Sequence, residues 1–578
     1  MAGKPKAGFW IVVLLVAGGL VWYALTRSGL LVKHPATAPS KGPVATGASP
    51  SPPAAAGVID LFFYTSSAKK NWIDEMVSRF NASDTRVDGR RIRVKAFHGN
   101  SGEQMDQIIA GAIKPDLWSP GDGSWLALAS SHFRDVKNMT LYDSYDDLVN
   151  IPLVIAMWEP MARALGYPKP ISWTDIAKLA ADPRGWASLG NAHWGSFRWG
   201  HAHPDANSGF LTVVSEVYAA QGKNAGLTAE DLKDPKTVEF LRDFEGAVEH
   251  YGLSNSWIDD LMRQKGPSYL SAAAQYENTI IQSNEKSGNK PFKMVAIYPK
   301  DGCFWTRHPV AILNAPWVTP EKKEAARAFV NFLLSEEAQR RAMELGLRPI
   351  KKDLALGPPF DEAHGVILEV DDSKAFSVPD EAVLRRIRDL WEQVKVPASV
   401  VLVLDRSGSM KGAPLDNAKE GAIQFLKSMK PRDEVQAIVF NGEVTPLSKL
   451  CTMRDCGEQL TQQISGVFAD GGTALYDAMG MAFKELSDLS RTRKEPRRYA
   501  VLVLSDGLDT ASISDKNDFL DMLPRGEDFS APKIFTIAYG DEADRDLLNM
   551  VANRTNARLF ASTPSEIAKT YKELSANF

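Results

Sequence analysis

Two series of apolar strand, polar turn and amphipathic helix run through this chain, and that alternation constrains its fold more than any other feature. The first opens at Val58. "VIDLFFYTSS" reads as a strand ending in hydroxyls, and "AKKNWIDEMVSRFNAS" sets Trp72, Ile73, Met76, Val77 and Phe80 at helical spacing. "RIRVKAFHGNSG" alternates as a strand into a Gly/Ser turn, followed by the helix "EQMDQIIAGAI". The pattern continues to about residue 350. A second series starts at "ASVVLVLD", with strands expected near 398–405, 434–441, 499–505 and 533–539 and helices near 414–430, 473–489, 544–553 and 564–576. Such alternation predicts α/β sheets. Between the series, "VPDEAVLRRIRDLWEQV" (378–394) reads as one amphipathic helix that joins two domains or caps one. A chain of 578 residues exceeds one ordinary core, so at least two domains are expected.

The N-terminus bears on the compartment. Lys4 and Lys6 precede an uncharged stretch from Phe9 to Leu25. As a helix it covers about 26 Å, nearly a bilayer core. Basic residues in front favour a cytoplasmic N-terminus, a bias that Arg27 and Lys33 weaken without reversing. The run could instead be a cleaved signal peptide, although Ala24-Leu25-Thr26 is a poor cleavage site. A retained anchor is the preferred reading, and both readings export the rest of the chain. Residues 33–57 are Pro, Ala, Ser, Thr and Gly with almost no large apolar side chain, an extended spacer. The expected organisation is a cytoplasmic N-terminus (1–8), an anchor (9–25), a linker (26–57), a first α/β domain (58–375), a connecting helix (376–395) and a second α/β domain (396–578).

A net charge of −4 gives no sign of a nucleic-acid binder. Of the three cysteines, Cys303 is alone, while Cys451 and Cys456 are close enough to pair across a tight hairpin in an oxidising compartment. Two unpaired thiols are the alternative.

In the second series, "LVLDRSGSMKG" ends an apolar strand with Asp405, Ser407 and Ser409, and Gly408 permits a tight turn. The carboxyl edge of an open parallel sheet is where ligands bind. "ADGGTALYDAMG" adds Thr473 behind two glycines, and "YAVLVLSDGLD" brings another strand to its end at Asp506. Oxygen donors of this kind suit Mg²⁺, Mn²⁺ or Ca²⁺ rather than zinc. A phosphate loop is excluded because Gly-x-x-x-x-Gly-Lys-[Ser/Thr] is absent. A nucleophilic serine fits poorly: no G-x-S-x-G surrounds Ser407 or Ser409, and residues 396–578 contain no histidine. Asp470 and Asp509 read as solvated loop charges.

These motifs, "DRSGS", "GGTALYDAM" and "LSDG", resemble the von Willebrand factor A family over roughly 396–578. The resemblance implies a Rossmann-like domain with a metal-ion-dependent adhesion site. Ser407, Ser409 and Thr473 would bind the ion through their hydroxyls, and Asp405 and Asp506 directly or through water. The open coordination position would take an Asp or Glu carboxylate from a protein partner.

In the first series three polar turns precede helices: Ser66-Ser67, Asn100-Ser101-Gly102 and Asn207-Ser208-Gly209. Singly each is an N-cap; facing one cleft, they would cradle an anion. With "HPDANSGFL" and "YPKDG", residues 58–350 resemble bacterial extracellular solute-binding proteins of the type II fold. That implies two α/β lobes with a ligand cleft between them, crossed near 151–157 and again after 298–302. Ser67, Ser101, Ser208 and Tyr276 are the expected contacts to a small polar solute or oxyanion. Glu277 suits a cationic ligand or a lobe-closing salt bridge. Eleven of the fourteen tryptophans lie between Trp72 and Trp317 and read mostly as lobe packing. His201 and His203 form an H-x-H pair that suits a polar strand or loop better than a metal. Ser67-Ala68-Lys69-Lys70 matches S-x-x-K of serine acyl-enzymes, without the accompanying K-T-G.

The leading expectation is a non-enzymatic, membrane-tethered binding protein outside the bacterial cytoplasm, joining a solute module to a metal-dependent protein-binding module. The alternative is the substrate-binding receptor of an ABC-type transporter with the second domain as a docking accessory. A hydrolase using Ser67 and a purely adhesive protein with a degenerate cleft are the remaining readings.

Overall fold

The computed structural model describes residues 57–578, apart from 288–291, 525–530, 576 and 578. The anchor expected over 9–25, the segment before it and the linker up to residue 56 lie outside the described residues. Among the described residues, no helix is long and apolar enough to cross a membrane.

Three sheets carry the fold. The first runs Arg86–Val87, Arg90–Gly99, Val58–Ser66, Leu117–Ser119, Pro309–Leu313, Tyr142–Asp147. Val58–Ser66 is parallel to both of its neighbours, and the returning strand Pro309–Leu313 is antiparallel. The second runs Met294–Ile297, Val149–Trp158, Ala272–Tyr276, Trp199–Ala202, Val248–Gly252. These are the two lobes of the first domain. The chain leaves the first lobe at Leu148, between adjacent strands of different sheets, and returns through Arg307 and His308. The first crossing thus falls just before 151–157 and the second after 298–302, as the resemblance implies; 151–157 itself is an apolar central strand of the second lobe, buried on both faces. The tryptophans serve packing: Trp72, Trp118, Trp125, Trp173, Trp186 and Trp199 are all fully buried.

The third sheet runs Val444–Pro446, Glu434–Phe440, Ala398–Asp405, Arg498–Ser505, Lys533–Tyr539, Leu559–Ser562, with four parallel pairings in succession from Glu434–Phe440 onward. Its central strand is buried throughout because helices cover both faces. Val400, Leu402 and Leu404 pack into one core with Phe425, while Val401 and Val403 pack into the other with Met479 and Phe519. From Ala398–Asp405 the chain moves to Glu434–Phe440 on one side and later to Arg498–Ser505 on the other. The gap between those connections is a topological switch point.

The connecting helix spans Glu381–Val394, beginning three residues later than periodicity suggests, because Pro379 precedes it. It buries Leu384, Ile387 and Trp391 against the first domain. The third-sheet domain also packs on the lobes. Arg498 donates to the Val248 carbonyl at 2.8 Å, Lys533 pairs with Glu249, and Lys572 pairs with Glu103 at 2.6 Å.

Candidate functional site

The sheet edge at the switch point gathers the oxygen donors. Ala398–Asp405 and Arg498–Ser505 are in register through Leu404 and Leu504, so both end side by side. The Ser505 hydroxyl donates to Asp405 Oδ2 at 2.7 Å, and the Ser407 N–H donates to Oδ1 at 2.8 Å. The Ser407 and Ser409 hydroxyls lie 3.1 Å apart, and Ser409 Oγ donates to Asp506 Oδ1 at 2.9 Å.

The threonine loop joins them through its backbone. The Gly408 N–H donates to the Gly471 carbonyl at 3.0 Å, which docks the first loop on the second. The Thr473 carbonyl accepts from Thr510 and Ala511 N–H at 2.9 and 3.1 Å, and its own N–H donates to Thr510 Oγ1 at 3.0 Å. That docks the second loop on the third. Gly471 has φ +75°, a conformation that suits glycine. Asp405, Ser407, Ser409, Thr473 and Asp506 thus stand on three abutting loops at one edge.

The charge at this edge is unbalanced. Burial pushes the Asp405 carboxyl up to about 6. Burial also raises Asp506, and Glu542 adds to it. A hard divalent cation would supply the compensating charge, and hydroxyl and carboxylate oxygens are the donors that Mg²⁺ prefers. The residues present fit such an ion.

Of the two carboxylates that read from sequence as solvated, Asp470 is exposed as expected though hydrogen-bonded, while Asp509 is half-buried and built into its loop. Asp470 accepts from Arg406 Nη1 at 2.6 Å and Asn441 Nδ2 at 2.7 Å. Asp509 accepts the Tyr476 N–H at 3.0 Å and the Ser512 hydroxyl at 2.6 Å. Unfilled N–H groups at the start of the helix Leu475–Thr492 explain the second case. Cys451 and Cys456 are joined by a disulfide. It staples a short strand to the first turns of the helix Met453–Ser465, not the two arms of a hairpin.

In the first domain, Ser67, Ser101, Ser208 and Tyr276 line one cavity of about 340 Å³ between the lobes. Its walls come from the N-terminal ends of helices. Ser101 opens Ser101–Ile109, Ser208 lies in the first turn of Asn207–Gln221, and Asn255 opens Asn255–Lys265. Such ends carry partial positive charge. The wall residues are held in place: Gly121 N–H donates to Ser101 Oγ at 3.0 Å, Ser208 Oγ to Asn255 Oδ1 at 2.6 Å, and Asn207 Nδ2 to the Tyr276 hydroxyl at 2.5 Å. The lobes touch across the cavity, with Gly102 N–H on the Asp205 carbonyl at 3.0 Å and Asn278 Nδ2 on the Ala68 carbonyl at 3.1 Å.

Sequence reasoning misses Lys69. It is buried in the cavity wall, with Nζ 3.0 Å from Ser66 Oγ, 3.0 Å from the Ser119 carbonyl and 3.4 Å from His308 Nδ1. Burial pulls its ammonium well below its ordinary value. The S-x-x-K match at Ser67 starts one residue too late: Lys70 is exposed and pairs with Asp74, whereas Ser66 and Lys69 meet. The helical phase of Trp72 and Ile73 is the signal that shows which lysine faces inward. Glu277 is outside the cavity wall, where Arg348 holds it with two 2.7 Å contacts inside the second lobe's core. It neither receives a cation from the cleft nor closes the lobes.

A two-lobed α/β module with an interlobe cavity, followed by a doubly wound sheet with oxygen donors at its carboxyl edge, defines a protein of composite architecture. The family model for bacterial extracellular solute-binding protein matches residues 61–348, and that for von Willebrand factor type A domain matches residues 399–573. The two matches follow one another along the chain without overlap.

The uncharacterized protein sll0103 of Synechocystis sp. is 26% identical over 181 residues, which cover 31% of this chain and 41% of that one. The uncharacterized protein Rv1836c of Mycobacterium tuberculosis is 21% identical over 508 residues, 83% of this chain and 71% of its own. The chain thus spans less than half of the first relative and more than two thirds of the second. Among solved structures, the sulfate-binding protein SubI from Mycobacterium tuberculosis H37Rv aligns with a TM-score of 0.38 at 16% identity, covering 55% of this chain and 93% of that one.

Proposed function

We propose that this protein is a non-enzymatic, membrane-anchored binding protein outside the cytoplasm, with its bulk in the periplasm or beyond. Its A-type domain holds Mg²⁺, with Mn²⁺ or Ca²⁺ as substitutes, through Asp405, Ser407, Ser409, Thr473 and Asp506. The ion captures a partner protein through an Asp or Glu carboxylate. One observation carries this reading: the Ser409–Asp506 contact of 2.9 Å, which unites the first and last motif at one sheet edge. Two carboxylates balance a divalent ion, so a third, from outside, is still attracted.

The solute module takes a small oxyanion or polar solute. The helix ends around the cavity favour negative charge. The helix Ser101–Ile109 offers a route between the two activities. It meets the cavity with Ser101 and the A-type domain with Glu103, which pairs with Lys572. Coupling requires each ligand to favour the same arrangement of these elements.

The interlobe cavity supports a second reading, an ABC-type transporter receptor with the A-type domain as docking accessory. Crosslinking in native membranes separates the two. Partners of the wild type that are lost both in Asp405→Ala and in wild type with EDTA support metal-dependent capture. A permease that crosslinks to the lobes in all three samples supports the receptor. The same set of non-permease partners in all three samples refutes the metal-dependent reading.

A further inference from the structure

The core of the second lobe holds three ionisable side chains that neither the cleft nor the sheet edge uses. His201 lies on the strand Trp199–Ala202, Glu216 on the helix Asn207–Gln221 and Glu245 on the helix Pro235–Gly246. All three are fully buried. One ligand atom of each lies within 4.8 Å of the other two. Two carboxylates buried together are costly unless a cation or protons neutralise them.

The histidine's geometry narrows the choice. Its Nδ1 is 2.7 Å from the Ala202 carbonyl, a contact that only an Nδ1–H can make. The neutral ring therefore turns the lone pair of Nε2 toward the carboxylates. Nε2, both oxygens of Glu216 and Oε1 of Glu245 are buried without a hydrogen-bond partner. Four unsatisfied atoms of acceptor character in one closed space point to a missing positive charge. The other oxygen of Glu245 is satisfied: Oε2 accepts from the Tyr251 hydroxyl at 2.6 Å and from Trp391 Nε1 at 3.1 Å. Those donors fix the carboxylate's orientation, as outer partners of metal ligands commonly do.

We propose that His201, Glu216 and Glu245 bind a structural divalent transition-metal ion of the zinc class. Imidazole nitrogen and carboxylate oxygen are both zinc donors, and the two negative charges cancel the ion's charge. His201 Nε2 and Glu245 Oε1 stand 3.4 Å apart, close to the edge of about 3.3 Å expected for a tetrahedron with bonds of ~2.0–2.1 Å. His203 takes no part: its Nδ1 accepts the Asp205 N–H at 3.2 Å, and its ring meets the Trp391 ring. The site is closed to solvent, so its role is to fasten the strand to two helices. Through Glu245 and Trp391 it also fastens the connecting helix that leads into the A-type domain. This site is distinct in donor chemistry and in place from the oxygen site at the sheet edge.

The competing arrangement is a proton shared between Glu216 and Glu245 beside a charged imidazole. The two are separable in the full chain carrying Asp405→Ala, which removes the sheet-edge site. The protein is refolded with Zn²⁺ or without it, washed with chelator in the cold and assayed for metal by mass spectrometry. The expected result is one zinc per chain, falling at least tenfold in Glu216→Gln and in His201→Gln, with a higher melting temperature after refolding with zinc. Glu216→Gln is the isostere of a protonated carboxyl, so a shared proton predicts that it folds with equal or greater stability and that zinc changes nothing. No stoichiometric zinc in the parent, or zinc retained in both variants, overturns the proposal. Should either variant fail to fold, the parent refolded with and without zinc decides the matter: one tightly held zinc and a raised melting temperature support the site, and their absence overturns it.

Discussion

The Ser409 hydroxyl donates to the Asp506 carboxylate at 2.9 Å across 97 positions of sequence. That contact turns two separate turn motifs into one site. It is possible because the strands preceding the two loops are direct parallel neighbours at the switch point of the sheet.

Burial gives the metal-free A-type domain a distinctive pH dependence. The Asp405 carboxyl sits at about 6 in the fold against 3.8 in its unperturbed state. A raised carboxyl favours the protonated fold, so its contribution is fully present below about pH 4 and is lost as pH rises through about 6. At roughly 1.36 kcal/mol per pH unit the loss is about 3 kcal/mol. Asp506, also raised, acts in the same direction. Urea unfolding in EDTA at pH 4.5–7.5 should show this decline, Asp405→Asn should flatten it, and Mg²⁺ should offset it at the upper end. A metal-free stability that rises over this window would contradict the electrostatic account.

The cavity between the lobes makes a separate prediction. Screening simple oxyanions (sulfate, phosphate, molybdate) by thermal shift should identify one that raises the melting temperature. A ligand at a hundredfold excess over its Kd stabilises by about 2.7 kcal/mol. Ser101→Ala and Ser208→Ala should each weaken that anion about tenfold, the worth of a hydrogen bond to a charged group. Unaltered affinity in both variants would remove these hydroxyls from the site.

Trp391 ties the connecting helix to the first domain. It is 1% exposed, stacks edge-on with Tyr251 and His203 and donates to Glu245. Trp391→Ala should cost about 3–5 kcal/mol in chemical unfolding. Trp391→Phe should keep most of the packing and lose the hydrogen bond, at a smaller cost. A loss below about 1 kcal/mol for the alanine variant would mean that the helix is held elsewhere.

Much of this architecture is legible in sequence, and what escapes has a physical cause. The strands Ala398–Asp405 and Lys533–Tyr539 coincide with apolar runs because strands covered on both faces must be apolar throughout. Ser67, Ser101, Ser208 and Tyr276 announce themselves by turn chemistry, and only the pairing of the lobes shows that they share one cavity. The lobe crossings are placed to within a few residues, and only the core role of 151–157 escapes, because "IPLVIAM" looks the same as a linker strand or as a core strand. Lys69 shows in sequence only through the helical phase of Trp72 and Ile73, and the trio His201, Glu216 and Glu245 lies beyond reach. The trio carries no local pattern, because its members stand on three elements 15 to 44 positions apart, and Lys69 meets Ser119 and His308, which lie 50 and 239 positions further along the chain.

The central claim is that the loops after Asp405, Gly472 and Ser505 form one cation site, and a Mg²⁺ titration tests it most directly. Calorimetry of the full chain at pH 7.5 should show one binding event per chain that disappears in Asp405→Ala and weakens at least tenfold in Thr473→Ala, while circular dichroism of both variants stays that of the wild type. Mg²⁺ binding of unchanged affinity in a folded Asp405→Ala protein would contradict it.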